Sequence, residues 1–157
     1  EIRMLLNPEL CISMFVCGTI HETEAVLVRG AERFSDFVGD DGFTLRYAGP
    51  YHDETPRDPD SSLTNTILLM DATKFERCTD LQEQLDYPVL VRDLNKSLTG
   101  FTEVMEDDDL SVISSVNWGS DRRFNGARDV RPLILWMAAS FAGKRLRLWL
   151  PETEETM

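Results

Sequence analysis

The sequence predicts an α/β layer fold with a mixed, at least partly parallel, central sheet flanked by helices. Short runs rich in β-branched and aliphatic residues alternate along the chain with segments of helical period. The clearest helical pattern, Val130 to Phe141, lies between the run Leu110 to Val116 and the alternating Leu146, Leu148 and Leu150. Strands alternating with helices in this way make an α/β layer fold. No internal repeat or low-complexity linker interrupts the chain.

Asn7-Pro8 predicts a helix start, because asparagine accepts orphan amides and proline lacks an amide to orphan. Leu10, Cys11, Met14 and Phe15 then form an apolar stripe that Gly18 ends. Ala25 to Val28 and Thr66 to Met70 read as buried strands. Between them, Phe34 to Tyr47 surrounds Gly39-Asp40-Asp41-Gly42 and reads as a hairpin. Ala48 to Thr64, with Pro50, Pro56 and Pro59, reads as a surface loop. A helix from near Pro88 carries Val91, Leu94, Leu98 and Phe101 on one face. In the last helix Val130, Leu133, Ile134, Met137, Ala138 and Phe141 make the expected core face, Gly143 the stop, and Lys144 and Arg145 suit the negative end of its dipole. Residues 1–150 are expected to form one domain and 151–157 an acidic, frayed tail.

Composition narrows the function. The 157 residues are 42% hydrophobic and 28% charged, a globular balance. Sixteen Lys plus Arg against 28 Asp plus Glu leave a net charge of −12. That disfavours a DNA duplex or an anionic membrane surface, both of which need a basic face. No stretch approaches the roughly 18–20 apolar residues of a membrane span, so no membrane insertion is expected. Cys11, Cys17 and Cys78 have no CxxC spacing, which argues against a disulfide framework or a cysteine zinc site. The expected home is an intracellular, reducing compartment: nucleus, cytoplasm or organelle matrix. With His21 and His52 as the two histidines, no multi-histidine metal site is expected, and no cofactor is predicted. The chain starts at Glu1, not methionine, which suggests a piece of a longer protein.

The ligand site of an α/β fold lies by default beyond the carboxyl ends of its strands. Asn117-Trp118-Gly119-Ser120-Asp121-Arg122-Arg123-Phe124-Asn125-Gly126 occupies that position, between the Leu110–Val116 strand and the last helix. Its amides and the helix start suit an anion, and Arg122 and Arg123 add charge, whereas Asp121 opposes a phosphate. An ordinary connecting loop has the same pattern. Trp118 reads as core packing or as a base-stacking platform. Glu106-Asp107-Asp108-Asp109 lacks the spacing and glycine of a calcium loop and reads as a solvated turn. His21 and His52 read as surface groups, Cys11 and Cys17 as core fillers on different helix faces, and Met137 and Phe141 as core.

Glu1-Ile2-Arg3 followed by Leu6-Asn7-Pro8-Glu9-Leu10 resembles the segment that begins at the last glutamate of the Gln-Glu-Glu motif in poly(ADP-ribose) glycohydrolases. The similarity runs in order through Gly30-Ala31-Glu32-Arg33-Phe34-Ser35-Asp36-Phe37, Asp71-Ala72, Leu94-Asn95-Lys96, Gly100-Phe101, Asn117-Trp118-Gly119, Phe124-Asn125-Gly126 and Ala138-Ala139. It implies a macrodomain-like fold, incomplete at its N-terminal side, and a C-terminal part of a catalytic domain that hydrolyses ribose–ribose bonds of poly(ADP-ribose). It aligns Glu1 with the general acid, which acts only where the upstream sequence is present. It implies ligand-binding roles for Asn117, Trp118, Gly119, Phe124, Gly126 and Phe37.

The departures are specific. The family's loop continues Cys-Gly-Ala-Phe-Gly-Gly-Asp around the diphosphate, where this chain has Ser120, Asp121, Arg122, Arg123, Phe124, Asn125, Gly126 and Ala127. The hairpin carries Phe34, Phe37 and Gly39-Asp40 where the family has tyrosines near substrate. These changes predict a catalytically inactive chain acting as a structural or interaction subunit with protein partners in a larger assembly. The alternatives are an active glycohydrolase whose first half lies outside this chain, and a module that binds ADP-ribose or its polymer without cleaving it.

Overall fold

A computed structural model describes residues 2–39, 44–77, 79–102, 112–121 and 123–149. The expectations for Glu1, the hairpin turn Asp40 to Gly42, Cys78, the acidic run Glu106 to Asp109, Arg122, Leu150 and the tail 151–157 lie outside the described residues. The chain forms two compact units, Glu1–Ile20 with Val26–Leu69, and His21–Ala25 with Met70–Met157.

In the first unit, α1 (Ile2–Leu6) leads through Asn7 into a 3₁₀ helix (Pro8–Ile12) and α2 (Ser13–Val16). Asn7 takes the predicted cap position and Pro8 the first helical one, but the asparagine side chain does not cap. It is buried, and its Nδ2 donates to the Ala31 carbonyl at 3.0 Å. The predicted continuous stripe is not formed. Three residues per turn in the 3₁₀ segment shift the phase relative to 3.6, so Leu10 is buried while Met14 and Phe15 face solvent, Phe15 at 90% exposure. Cys17, expected in the core, is exposed for the same reason, and Cys11 is half-buried. Gly18 ends the segment at φ +61°, as predicted.

β1 (Val26–Arg29) pairs antiparallel with β4 (Thr66–Leu69), Val26 opposite Leu69 and Arg29 opposite Thr66. Both were expected to be buried; a two-stranded pair has too few neighbours for that, and they are half-buried. β2 (Ser35–Val38) and β3 (Arg46–Pro50) form the predicted hairpin, with a register shift between Asp36 and Phe37. Gly39 leaves β2 at φ +115°, where a Cβ would lie 2.6 Å from the Thr44 carbonyl oxygen. The loop beyond β3 folds on itself through an Arg57–Leu63 bridge that buries Leu63.

The second unit holds α3 (Leu81–Gln84), α4 (Tyr87–Thr102), β5 (Val112–Val116), α5 (Val130–Phe141) and β6 (Arg145–Trp149). β5 and β6 are parallel, Val112 opposite Arg145 and Val116 opposite Trp149, with α5 as the crossover between them. Gly143 ends α5 at φ +66°, and the Lys144 amide returns to the Ala139 carbonyl at 2.8 Å. The described strands thus form three two-stranded pairs, one of them parallel, in place of the single central sheet expected.

Both long helices bury a different face from the one their apolar spacing selects. In α5 the buried residues are Arg131, Ile134, Leu135, Ala138 and Ala139, while Leu133, Met137 and Phe141 are exposed, Phe141 at 71%. In α4 they are Asp93, Lys96, Ser97, Gly100 and Phe101, with Val91, Leu94 and Leu98 half-buried. Asp93 pairs with Arg131 between the two helices. Burying that pair turns both helices about their axes, and small residues (Gly100, Ala138, Ala139) line the buried side.

Candidate functional site

The crossover from β5 into α5 sets the 117–129 connection at the carboxyl end of a parallel strand. Its path is held by tight steric constraints. Gly119 has φ +78°, and a Cβ there would meet the Ala72 side chain at 2.6 Å. A Cβ on Gly126 would lie 2.3 Å from Arg131 Nε and 2.5 Å from the Gly119 carbonyl oxygen. The Gly126 amide donates to that same carbonyl at 2.9 Å, closing residues 119–126 into a ring. Glycine is required at both positions by space, and at Gly119 also by conformation.

Beneath this ring lies a network of charges. Arg131, 2% exposed, pairs through Nη1 with Asp93, which is fully buried, and donates from Nη2 to the Thr73 carbonyl at 3.2 Å. Asp93 also accepts from the Thr73 hydroxyl at 2.9 Å and from Arg92 at 2.7 Å. Arg92 and Lys96 both reach Asp71, and Lys96 donates to the His21 carbonyl at 2.9 Å. Burial pushes the Asp71 carboxyl up, but hydrogen bonds and charge from Lys96 and Arg92 outweigh it and hold the group below the usual carboxylate range. Burial lowers the Arg92 guanidinium; hydrogen bonds and charge from Asp93 and Asp71 outweigh it, and its pKa is raised.

Every predicted ligand-binding residue lies among the described ones. Asn117 follows β5; its Nδ2 donates to the Arg128 carbonyl at 3.4 Å, and its Oδ1 is buried without a partner among the described residues. Trp118 is half-buried and commits its indole N–H to the Met70 carbonyl at 3.2 Å. Phe124 accepts at its carbonyl the Phe75 amide at 2.8 Å. Phe37 belongs to the hairpin of the first unit and packs edge-on against Tyr47, with ring centres 6.0 Å apart. Glu1 lies outside the described residues. Asp121, expected to oppose a phosphate, turns its Oδ1 onto the amides of Arg123 at 2.8 Å and Phe124 at 3.2 Å. It occupies backbone donors that an anion at this loop would use.

Supporting residues came without warning from spacing alone. Gln84, on the unpredicted α3, accepts the Ala127 amide at 2.8 Å and donates to the Asn125 carbonyl at 3.4 Å. Asn125, at φ +55°, donates from Nδ2 to the Phe75 carbonyl at 3.0 Å. A charge inside an apolar helical stripe, as at Arg131, was the available signal. In the first unit Arg33 stacks 3.9 Å from the Tyr51 ring centre, beside the hairpin. Among the described residues no three metal-binding side chains cluster, and no helix is long and apolar enough to cross a membrane.

The model of the family described as "Poly (ADP-ribose) glycohydrolase (PARG), Macro domain fold" matches residues 1–157. The chain belongs to the poly(ADP-ribose) glycohydrolase family. The mixed α/β elements agree with the macro domain fold of that family. Among its relatives, Poly(ADP-ribose) glycohydrolase 1 of Arabidopsis thaliana is 36% identical over 101 residues, covering 64% of this chain and 18% of that protein. Poly(ADP-ribose) glycohydrolase 1 of Caenorhabditis elegans is 29% identical over 155 residues, 93% of this chain and 20% of that protein. Probable poly(ADP-ribose) glycohydrolase 2 of Arabidopsis thaliana is 33% identical over 180 residues, 92% of this chain and 34% of that protein. The chain therefore spans about a fifth to a third of the length of these relatives.

Proposed function

We propose that this chain carries the loop side of a poly(ADP-ribose) glycohydrolase site, in a protein that hydrolyses ribose–ribose O-glycosidic bonds of poly(ADP-ribose). The observation that carries the reading is the closed 119–126 ring beside Asn117, whose buried Oδ1 has no partner among the described residues. A loop of fixed path at the carboxyl end of a parallel strand is where an α/β fold presents a ligand site, and the family description supports ADP-ribose as the ligand class. In this reading Asn117, Gly119, Phe124 and Gly126 hold the ADP-ribose unit and Trp118 backs the loop; the family resemblance gives Phe37 a ligand-binding role and Glu1 the role of the general acid. Residues 1–150 then form the C-terminal part of a macrodomain-like catalytic domain, with 151–157 as its tail.

One observation favours a second reading, a chain that keeps the scaffold without the chemistry. Asp121 already fills the Arg123 and Phe124 amides, and an incoming diphosphate must displace it against charge repulsion. The exposed apolar side chains of α5 would then serve a protein partner in an assembly.

The test is a calorimetric titration of ADP-ribose into the full-length protein, followed by a polymer-hydrolysis assay of wild type and Glu1→Gln. Binding with hydrolysis that Glu1→Gln abolishes is the expected result. Binding without hydrolysis identifies a reader, and no heat up to millimolar ligand leaves the scaffold.

A further inference from the structure

We infer that Gln84 is a positioning residue for the 119–126 ring: its one side-chain amide clasps the peptide groups on both sides of Gly126 and sets the shape in which the ring meets its ligand. Gln84 Oε1 accepts the Ala127 amide at 2.8 Å, and Nε2 donates to the Asn125 carbonyl at 3.4 Å. A carboxamide carries its acceptor and its donor side by side in one plane, so a single rigid group makes both bonds. Gln84 is buried, and its partners lie 41 and 43 positions away along the chain. The clasp stands on geometry alone; ADP-ribose as the ligand rests on the glycohydrolase reading.

The planar peptide carries the effect into the ring. In a trans peptide the carbonyl and the following amide point in opposite directions. Holding the Asn125 carbonyl on Gln84 therefore turns the Gly126 amide the other way, onto the Gly119 carbonyl at 2.9 Å, the bond that closes the ring. Asn125 needs this support. It sits at φ +55°, a left-handed conformation that persists outside glycine only where neighbours hold it. Its amide donates to the Asp121 carbonyl at 2.8 Å and its side chain to the Phe75 carbonyl at 3.0 Å, and Gln84 supplies the hold on its own carbonyl. A ring held in one shape before binding avoids the ordering cost that a loose loop meets as the ligand arrives.

Site-resolved hydrogen exchange and ADP-ribose calorimetry on the full-length protein test the clasp in three variants. Gln84→Met keeps the bulk and removes both bonds, Gln84→Glu keeps the acceptor and replaces the donor, and Gln82→Met, at an exposed position of α3, is the control. Exchange should quicken about tenfold at Gly126 and Ala127 in Gln84→Met, the scale of a hydrogen bond lost. In Gln84→Glu it should quicken at Gly126 and not at Ala127, and in Gln82→Met at neither. The α5 amides should be unchanged throughout. ADP-ribose should bind Gln84→Met about tenfold more weakly at unchanged stoichiometry. Faster exchange spread equally over α5 would make Gln84 a general stabilising residue and overturn the inference. Unchanged Gly126 exchange, or wild-type affinity in Gln84→Met, overturns it as well. If wild type binds no ADP-ribose while Gly126 exchange responds as expected, the clasp stands and the glycohydrolase reading falls.

Discussion

At the scale of single residues, glycine and aspartate shape the loop by opposite means. Gly126 is required because its missing Cβ is the space that Arg131 Nε and the Gly119 carbonyl occupy. Gly126→Ala should therefore lower stability by about 1–3 kcal/mol, the usual scale of overpacking a fixed site, measured as a shift in the urea midpoint. Asp121 acts through charge. Its carboxylate accepts two loop amides that would otherwise point at an incoming anion. Asp121→Gly should tighten ADP-ribose binding about tenfold by freeing those donors and removing a negative charge. Calorimetry checks this; unchanged affinity would mean that the diphosphate does not use these amides.

At the scale of elements, α4 and α5 are joined through a charge pair in their shared core. Asp93 and Arg131 are both buried, so removing one leaves the other without compensation. Arg131→Met should destabilise the protein by about 3–5 kcal/mol. Adding Asp93→Leu should recover part of that loss, because it removes the stranded carboxylate, though it also strips partners from Arg92 and Thr73. Chemical denaturation of the two single variants and the double variant measures the coupling. Because Arg131 lies 5.9 Å from the Trp118 ring centre, Trp118 fluorescence should also change in Arg131→Met. Several element boundaries were legible, with Pro8, Gly18, Pro88 and Gly143 where turn and cap chemistry put them, but β3 runs to Pro50 into the loop expected from Ala48, and α3 gave no signal. The buried faces were not. An apolar stripe reports where a helix would bury its hydrophobic side, and Asp93 with Arg131 selects a different side.

At the scale of the whole molecule, the charge balance makes stability depend on pH. Asp71 is held below the usual carboxylate range, first against burial and then by Lys96 and Arg92. A carboxyl with a depressed value in the folded state binds fewer protons there than in the unfolded chain. Its contribution is complete above the unfolded value of about 4 and is lost as pH falls through the lower folded value. Thermal melts from pH 7 to pH 2 should show acid destabilisation that is shallower in Asp71→Asn. Partial exposure of Asp71 limits the difference through solvent screening.

The sequence by itself determined the family, through motifs in a fixed order; it also determined the α/β class, the order of β5, α5 and β6, and the position of the Asn117–Gly126 loop. Local rules suffice for these: cap and turn residues act within a few positions, and a crossover sends its loop to the end of a strand. Tertiary structure alone decided that Gln84 and Asn125 brace the loop and that Lys74, Arg77 and Arg123 share one cleft. It also decided which helix faces are buried. Each of these depends on residues far apart in the chain, whose meeting no local periodicity encodes, and on a buried charge pair that outranks the apolar pattern around it.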